Sequence, residues 1–153
     1  YVSNTLESFG IEQAGKIRKQ KDKRCSCYYY SYRSRDYVEL LPVRKRWYPE
    51  GKKVVPKDLK LTPLTLRQEY IGDGCLAHFK RARPSIVLAT CGFPIPDVEW
   101  LVIELRKLGF KATRQPSRNS IRIATYSTQY FLDYIGESPV KCYEYKWNYY
   151  QRR

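Results

Sequence analysis

The sequence lacks methionine and has one histidine, and its acidic residues are scarce, with 15 Asp and Glu against 29 Lys and Arg. A translated chain begins with methionine, so we expect that Tyr1 is not the native start. A net charge of +14 calls for an anionic partner, with nucleic acid as the first candidate and an anionic membrane surface as the second. No apolar run approaches the roughly 20 residues of a membrane span, and no basic amphipathic helix with a bulky apolar face stands out. The composition therefore favours nucleic acid.

The five cysteines do not form a recognisable metal-binding pattern. Cys25 and Cys27 are spaced C-x-C, unlike the C-x2-C of zinc ribbons, and His78 is the only available histidine, so structural zinc is not expected. An odd number of cysteines without a signal peptide indicates a reducing compartment. We therefore expect a cytoplasmic protein of a prokaryote, archaea included, with an organelle as the alternative. High Lys, Arg, Glu and Tyr with few Asn and Gln points to a thermophile.

Hydrophobic periodicity predicts helices that alternate with antiparallel hairpins, which indicates an α+β fold. Ser34 or Asp36 would cap the second helix, and Thr62 followed by Pro63 is a clear start for the third. The predicted elements, in chain order, are a helix at 2–9, strands at 12–20 and 27–33, a helix from Ser34 or Asp36 to Trp47, a helix from Thr62 to Asp73, strands at 76–82 and 85–92, an amphipathic helix ending at Gly109, strands at 110–115 and 120–125, and a helix at 127–135.

Two parts of the chain resemble each other. LESFGIE aligns with LRKLGFK further along, and YYYSYRSRDYV aligns with IRIATYSTQYF. The alignment pairs Ser34 with Ser127 and Tyr37 with Tyr130, which favours a true internal repeat over two unrelated αββα units. We predict that residues 1–56 are the remainder of a first repeat that lacks its first helix and hairpin, that 57–147 are a complete second repeat, and that 148–153 are a basic tail.

The helix predicted to end at Asp73 ends unusually, in Gly72-Asp73-Gly74. A carboxylate at this end meets the partial negative charge of the helix dipole, and a glycine inside the helix costs roughly 1 kcal/mol relative to alanine. An isolated Asp-Gly pair is usually just a turn. The blocks that surround this pair argue for a function instead.

Three blocks carry a resemblance to a known family: LTPLTLRQEYIGDGCL, the preceding WYPEGKKVVPKDLKLTP, and YEYKW near the end. Together they resemble the LAGLIDADG homing endonucleases, in the intron-encoded branch that carries two repeats in one monomeric chain. The resemblance covers residues 1–147, and the ordered set of blocks is specific. It implies αββαββα repeats whose antiparallel DNA-binding sheets are packed by helices and related by a pseudo-two-fold axis.

The resemblance also implies a catalytic site. Two motif helices would pack through small residues such as Gly72, and each would deliver a carboxylate to paired metal sites. Asp73 would be the catalytic acid and ligand of Mg²⁺ or another divalent cation, which activates water for phosphodiester hydrolysis. Lys53 and Lys146, at corresponding ends of the two repeats, would lie near the scissile phosphates. No residue in 1–56 matches the second acid, which is the main departure from the family pattern.

The predicted hairpins carry basic and amide side chains suited to DNA. If Ile121 and Ile123 face the helices, Arg122 faces outward; by the repeat, Tyr28 and Tyr30 face inward. A twisted ribbon fits the major groove, where Arg reads guanine and Gln or Asn reads adenine, and the basic run GKIRKQKDKR suits phosphates. The candidate DNA-binding residues are Lys16, Arg18, Gln20, Arg24, Tyr29, Ser31, Arg33, His78, Lys80, Arg81, Arg83, Arg114, Gln115, Arg118, Asn119 and Arg122.

The favoured function is a site-specific, metal-dependent endonuclease for double-stranded DNA, monomeric with pseudo-two-fold symmetry in preference to a homodimer. One alternative keeps the fold without cleavage, as an intron maturase or a DNA-binding regulator. Another is an unrelated basic RNA-binding αβ domain, whose bases would stack on some of the 15 tyrosines.

Overall fold

The structure is a computed structural model that describes residues 2–21, 28–79 and 82–148. Two compact units follow each other along the chain, Tyr1–Pro42 and Val43–Arg153. Helices alternate with antiparallel strands, so the predicted α+β class is confirmed. The repeat boundaries placed after residues 56 and 147 stay predictions.

The first unit contains a helix and a short antiparallel hairpin. Helix α1 spans Val2–Ser8, and strands β1 (Arg18–Lys21) and β2 (Tyr28–Ser31) pair antiparallel. The strands are shorter than predicted, because among the described residues before β1 and after β2 an isolated bridge between Gln13 and Ser34 is the only further pairing.

The predicted cap of the second helix was wrong. Ser34 takes part in the bridge to Gln13, and helix α2 begins only at Leu41, after a 3-10 turn at Val38–Leu40. The short-range capping preference of Ser34 was overridden by a strand pairing that the local sequence does not reveal. Helix α2 spans Leu41–Trp47 and ends where it was predicted to end.

The remaining elements follow the predicted order with shifted edges. Strands β3 and β4 begin two and three residues earlier than predicted, and α5 begins two residues earlier. The elements are α3 (Pro63–Asp73), β3 (Gly74–Phe79), β4 (Ala82–Leu88), α4 (Ile95–Lys107), β5 (Ala112–Gln115), β6 (Ser120–Ile123) and α5 (Thr125–Ile135), followed by a 3-10 segment at Lys141–Lys146.

Helix α3 is fixed at its start by a capping box. The Thr62 hydroxyl accepts a hydrogen bond from the backbone N–H of Thr65, the Thr65 hydroxyl accepts one from the N–H of Thr62, and Pro63 occupies the first turn. These bonds satisfy N–H groups that have no partner inside the helix. At its other end α3 passes into β3 at Gly74 with no intervening loop.

The core of the second unit lies between a four-stranded antiparallel sheet and helices α3, α4 and α5. The strand order is β3-β4-β6-β5, and the register aligns Ile86 with Ile123 and Leu88 with Ile121. These four side chains are at most 2% exposed. On the helix side Tyr70, completely buried, adds a large aromatic ring to this core.

The tyrosines matched by the internal alignment make similar contacts in the two units. Tyr37 hydrogen-bonds through its hydroxyl to the backbone of Gly10, at 3.3 Å, and Tyr130 to the carbonyl of Leu108, at 3.4 Å. Gly10 and Gly109, which the alignment also pairs, both have positive φ, 75° and 89°. A true repeat predicts such a match, because each tyrosine would then secure the same helix-to-strand turn.

Candidate active site

The candidate site lies at the carboxyl end of α3. Asp73 is the last residue of this helix and is exposed. Its backbone carbonyl accepts a hydrogen bond from the N–H of Ala89, at 3.0 Å, and the N–H of Gly74 binds the carbonyl of Tyr70. The main chain at Asp73 is therefore held by the sheet, while its side chain is presented to solvent.

The two glycines that flank Asp73 have different surroundings. A Cβ at Gly74 would lie 2.3 Å from Cδ2 of Tyr70 and 2.7 Å from both its Cα and its carbonyl oxygen. Any residue can adopt the φ of −94° that Gly74 has, so the close contact with Tyr70 alone requires glycine at this position. A Cβ at Gly72 would meet nothing within 4 Å in this chain.

Lys146 lies beneath the end of α3 and is only 7% exposed. Its Nζ donates hydrogen bonds to the carbonyls of Ile71 at 2.6 Å, Gly74 at 2.8 Å and Tyr70 at 3.2 Å. The last carbonyls of a helix have no partner within it and carry partial negative charge. The ammonium therefore caps the end that carries Asp73.

The contact between Tyr70 and Lys146 is reciprocal. The Tyr70 hydroxyl donates to the backbone carbonyl of Lys146 at 2.6 Å, and the ring of Trp147 lies edge-on to Tyr70 at a centroid distance of 5.1 Å. Trp147 in turn donates its indole N–H to the carbonyl of Gly136, directly after α5, at 2.8 Å. The segment YEYKW thus joins the ends of α3 and α5.

Two further ionisable groups respond to the charge of Asp73. Burial lowers the pKa of Lys146, and the charges of Cys75 and Asp73 act in the opposite direction. Burial also raises the pKa of Glu69, the charge of Asp73 raises it further, and the ammonium of Lys53 opposes both. Asp73, Glu69, Lys53 and Lys146 therefore share one electrostatic environment.

Sequence reasoning missed Glu69, which is half-buried. The signal was available, because residues four apart on a helix lie on the same face and Asp73 follows Glu69 by four positions. Lys53 is half-buried too, and its Nζ lies 4.1 Å from the ring centroid of Phe93. This cation–π contact restricts where the Lys53 ammonium can point.

An apolar groove of about 510 Å³ runs along the same helix. Thr65, Glu69 and Asp73 of α3 are among the residues that line it, together with apolar residues such as Leu59 and Leu101. Asp73 and Glu69 therefore border a concave, largely apolar surface.

The donors at this site fit a hard divalent cation in part. In the chain segments that the structure covers, no three His, Cys, Asp or Glu side chains gather in one place. Mg²⁺ keeps several waters and binds proteins through one or two carboxylates together with substrate phosphates. An exposed Asp73 fits that kind of site, whereas a site enclosed by protein ligands would need more donors.

The register of β1 and β2 brings part of the predicted DNA surface together. Arg18 lies opposite Ser31 and Gln20 opposite Tyr29, so these four residues share one face of the ribbon. The Tyr29 hydroxyl donates to Oε1 of Gln20, which fixes both side chains. Lys16 and Arg33 lie beyond the strand ends and are exposed.

The prediction that Tyr28 and Tyr30 pack inward was wrong. They lie on the opposite face from Tyr29, as strand alternation requires, but they are 58% and 68% exposed. Lys19 shares this face, with its Nζ 4.5 Å from the centre of the Tyr28 ring. Alternation specifies the face of a residue but not whether another layer covers it.

Two of the predicted DNA contacts in the hairpin of β5 and β6 have partners within the protein. Arg114 lies opposite Ile121 on the helix-facing side of the sheet, with its Nε 3.6 Å from Oε1 of Glu99. Asn119 donates its side-chain amide to the carbonyl of Phe93 at 2.8 Å. Both side chains are therefore held by partners within the chain, and their contact with DNA stays a prediction.

The other candidates have varied positions. Arg122 lies on the outer face of the sheet, opposite Val87, and its Nε donates to the Ser85 hydroxyl at 3.1 Å. Gln115 accepts a hydrogen bond from the Ser120 hydroxyl at 3.0 Å. Arg83 and Arg118 are exposed. Arg24, Lys80, Arg81 and the side chain of His78 lie outside what the structure describes.

Comparison with known proteins relates this geometry to a family. The sequence profile of the LAGLIDADG DNA endonuclease family matches residues 1–131. An uncharacterized protein of Methanocaldococcus jannaschii is 31% identical over 111 residues, which are 71% of this chain and 43% of that protein. The chain therefore spans less than half the length of this curated relative.

A solved structure shares the fold. The homing endonuclease I-WcaI, determined bound to its DNA recognition sequence, superposes with a TM-score of 0.73 at 18% identity, over 95% of this chain and 70% of that one. The predicted fold is thus confirmed. Among the residues that the structure covers, no helix is both long enough and apolar enough to cross a membrane.

Proposed function

The chain belongs to the LAGLIDADG DNA endonuclease family, and we propose that it carries one catalytic aspartate of a homing endonuclease that hydrolyses phosphodiester bonds at a specific site in double-stranded DNA. The observation that carries the proposal is Asp73, an exposed carboxylate on a helix end whose main chain is held by hydrogen bonds on both sides. A group fixed in this way can bind a reacting centre with little further loss of conformational entropy.

Asp73 would hold Mg²⁺ together with a backbone phosphate of DNA. The bound ion would supply Lewis acidity and an activated water. Lys53, directed by its contact with Phe93, places a positive charge on the same side as Glu69 and Asp73, where it would oppose the negative charge that develops on phosphate. A second carboxylate from a preceding repeat would serve the other strand, which keeps the monomeric pseudo-two-fold arrangement.

The hairpins would lie in the major groove of the bound DNA. The face with Arg18, Gln20, Tyr29 and Ser31 offers the guanidinium and amide groups that read guanine and adenine. In the second unit the outer face of the sheet presents Arg122. The resemblance to a DNA-bound endonuclease fold and the net charge of +14 support this mode of binding. An intron-encoded origin, a thermophilic host and a prokaryotic cytoplasm stay predictions.

The decisive test compares Asp73→Asn with Asp133→Asn, an exposed aspartate on α5. Both proteins are incubated with a plasmid library of randomised target sites, with Mg²⁺ or with EDTA, and cut ends are sequenced. We expect a single preferred site, cleavage that requires Mg²⁺, loss of cleavage in Asp73→Asn and no loss in Asp133→Asn. Cleavage that survives Asp73→Asn would refute the assignment of the catalytic acid.

Gel-binding measurements with the same two proteins decide between the alternatives. Retention of duplex DNA in gels by both proteins, with no cleavage under any metal, would favour a binding-only protein such as a maturase or regulator. Preference for single-stranded RNA over duplex DNA would favour RNA binding by this family member, for which the exposed Tyr28 and Tyr30 offer stacking surfaces. The unrelated RNA-binding domain considered from the sequence is excluded by the family match.

A further inference from the structure

We propose that Lys146 is a positioning residue, which acts on Asp73 through the carboxyl end of α3 and makes no contact with DNA. This differs from the phosphate-facing role that the family resemblance implies for it. The consequence for catalysis rests on the proposed function of Asp73, whereas the contact between Lys146 and α3 does not.

The hydrogen-bonding capacity of the ammonium is fully used. A lysine ammonium has three N–H donors and no acceptor. The three carbonyls of Ile71, Gly74 and Tyr70 lie 2.6, 2.8 and 3.2 Å from Nζ of Lys146. The residue is 7% exposed, so an approach by phosphate would require it to leave three partners and a buried site.

The position of the charge explains how a helix can end in aspartate. The carboxyl end of α3 carries the negative end of the helix dipole, and Asp73 adds a full negative charge. The buried ammonium of Lys146 places a positive charge close to the negative end of the helix dipole and to the Asp73 carboxylate. Its attraction to Asp73 opposes the burial that lowers the pKa of Lys146.

The contact between Lys146 and α3 also restricts the position of the helix end, because hydrogen bonds run in both directions between the two segments. Tyr70, one turn before Gly74, donates its hydroxyl to the carbonyl of Lys146 at 2.6 Å. Trp147 packs on the same tyrosine and is bonded to Gly136 after α5. The end of α3 cannot shift relative to this segment without breaking several of these bonds, so the segment sets where Asp73 is held.

Hydrogen exchange tests the contact without any need for activity. Lys146→Met keeps a long apolar side chain and removes the ammonium; Lys141→Met, at an exposed position of the same segment, is the matched control. We expect the amides of Gly74 and Ala89 to exchange roughly tenfold faster or more in Lys146→Met, because a hydrogen bond to a charged group contributes at least that factor. Exchange of the Gly109 amide, at the end of α4, should not change.

Unchanged exchange at Gly74 and Ala89 in Lys146→Met would overturn the proposal. If this variant does not fold, Tyr70→Phe decides the question, since it removes only the hydroxyl that binds the carbonyl of Lys146 and keeps the ring. The same two amides should then exchange faster than in the parent by a smaller factor, and equal rates would refute the reciprocal attachment.

DNA binding separates positioning from phosphate contact. Loss of a lysine that contacts phosphate reduces the slope of log affinity against log salt by about one unit. In binding measurements with EDTA present, we expect Lys146→Met to keep the parental slope. In separate cleavage measurements without EDTA, at saturating DNA, we expect it to need a higher Mg²⁺ concentration for half-maximal cleavage. A slope reduced by about one would place Lys146 on DNA and overturn the proposal. If Asp73→Asn still cleaves, the proposed function fails, while the exchange data still decide the role of Lys146.

Discussion

Replacing Gly74 with alanine should destabilise the second unit, because the new Cβ would lie 2.3 Å from Cδ2 of Tyr70 and 2.7 Å from its Cα and carbonyl oxygen. Two of these three atoms belong to the backbone, so no change of rotamer relieves the contact. The ring itself is held edge-on by Phe131 and Trp147, at centroid distances of 5.8 and 5.1 Å. Overpacking costs about 1–3 kcal/mol, and displacement of the buried Tyr70 hydroxyl from its partner costs about 1 kcal/mol more. We expect a total loss of about 2–4 kcal/mol in the free energy of unfolding.

Gly72→Ala is the matched control, two residues earlier and inside α3. A Cβ there meets nothing within 4 Å, and alanine is favoured over glycine inside a helix by about 1 kcal/mol. Urea unfolding, followed by circular dichroism and tryptophan fluorescence, should show Gly74→Ala below the parent and Gly72→Ala at or above it. A stability of Gly74→Ala within about 0.5 kcal/mol of the parent, the range of ordinary surface changes, would refute the reasoning from close contact.

Three further substitutions test other contacts. Burial, and then the charge of Asp73, raises the pKa of Glu69 above 4.5. The stability that this carboxyl contributes is therefore present at lower pH and lost as pH rises through its folded pKa. Glu69→Gln should be more stable than the parent at pH 7 and should show a flatter pH–stability curve in urea titrations. Burial raises the pKa of Asp97, but the hydrogen bonds from Lys57 and from the backbone N–H of Val55, together with the positive charge of Lys57, outweigh it and the pKa falls below 3.8. The stabilisation from this carboxylate is thus present above that pH and lost on acidification. Asp97→Asn should therefore lose about 2 kcal/mol at neutral pH and lose less on acidification, and an unchanged thermal midpoint at pH 7 would contradict this. Thr62→Ala removes the cap of α3 and should cost about 1 kcal/mol in the same assay, with Thr62→Ser retaining the cap and close to parental stability.

The helices were predicted well where their ends are set by neighbouring residues. Thr62 and Pro63 mark the start of α3, and Gly109, with a φ of 89°, ends the α4 region as expected. The alternation of Ile121 and Ile123 correctly gave the buried face of β6. These features depend on interactions within a few residues, so a single sequence contains the information for them.

The surface that a basic side chain occupies could not be predicted from its residue type. Arg114 was a candidate DNA contact, and the register with β6 places it opposite Ile121, where it pairs with Glu99. Asn119 likewise serves the turn through its bond to Phe93. Charge and hydrogen-bonding potential show that a residue can contact DNA, but the strand register decides which surface it occupies.

The order of helices and strands, the family resemblance and the position of Asp73 at the end of a helix could all be predicted from the chain, because each depends on local pattern or on ordered blocks of residues. The way in which that helix end is stabilised became visible in the folded protein alone. Lys146 follows Asp73 by more than seventy positions, and nothing in the local sequence shows that its ammonium is buried against the carbonyls of Tyr70 and Ile71 in α3 and of the adjoining Gly74. The partner of a buried charge is chosen by packing, which brings residues distant in the chain within hydrogen-bonding distance.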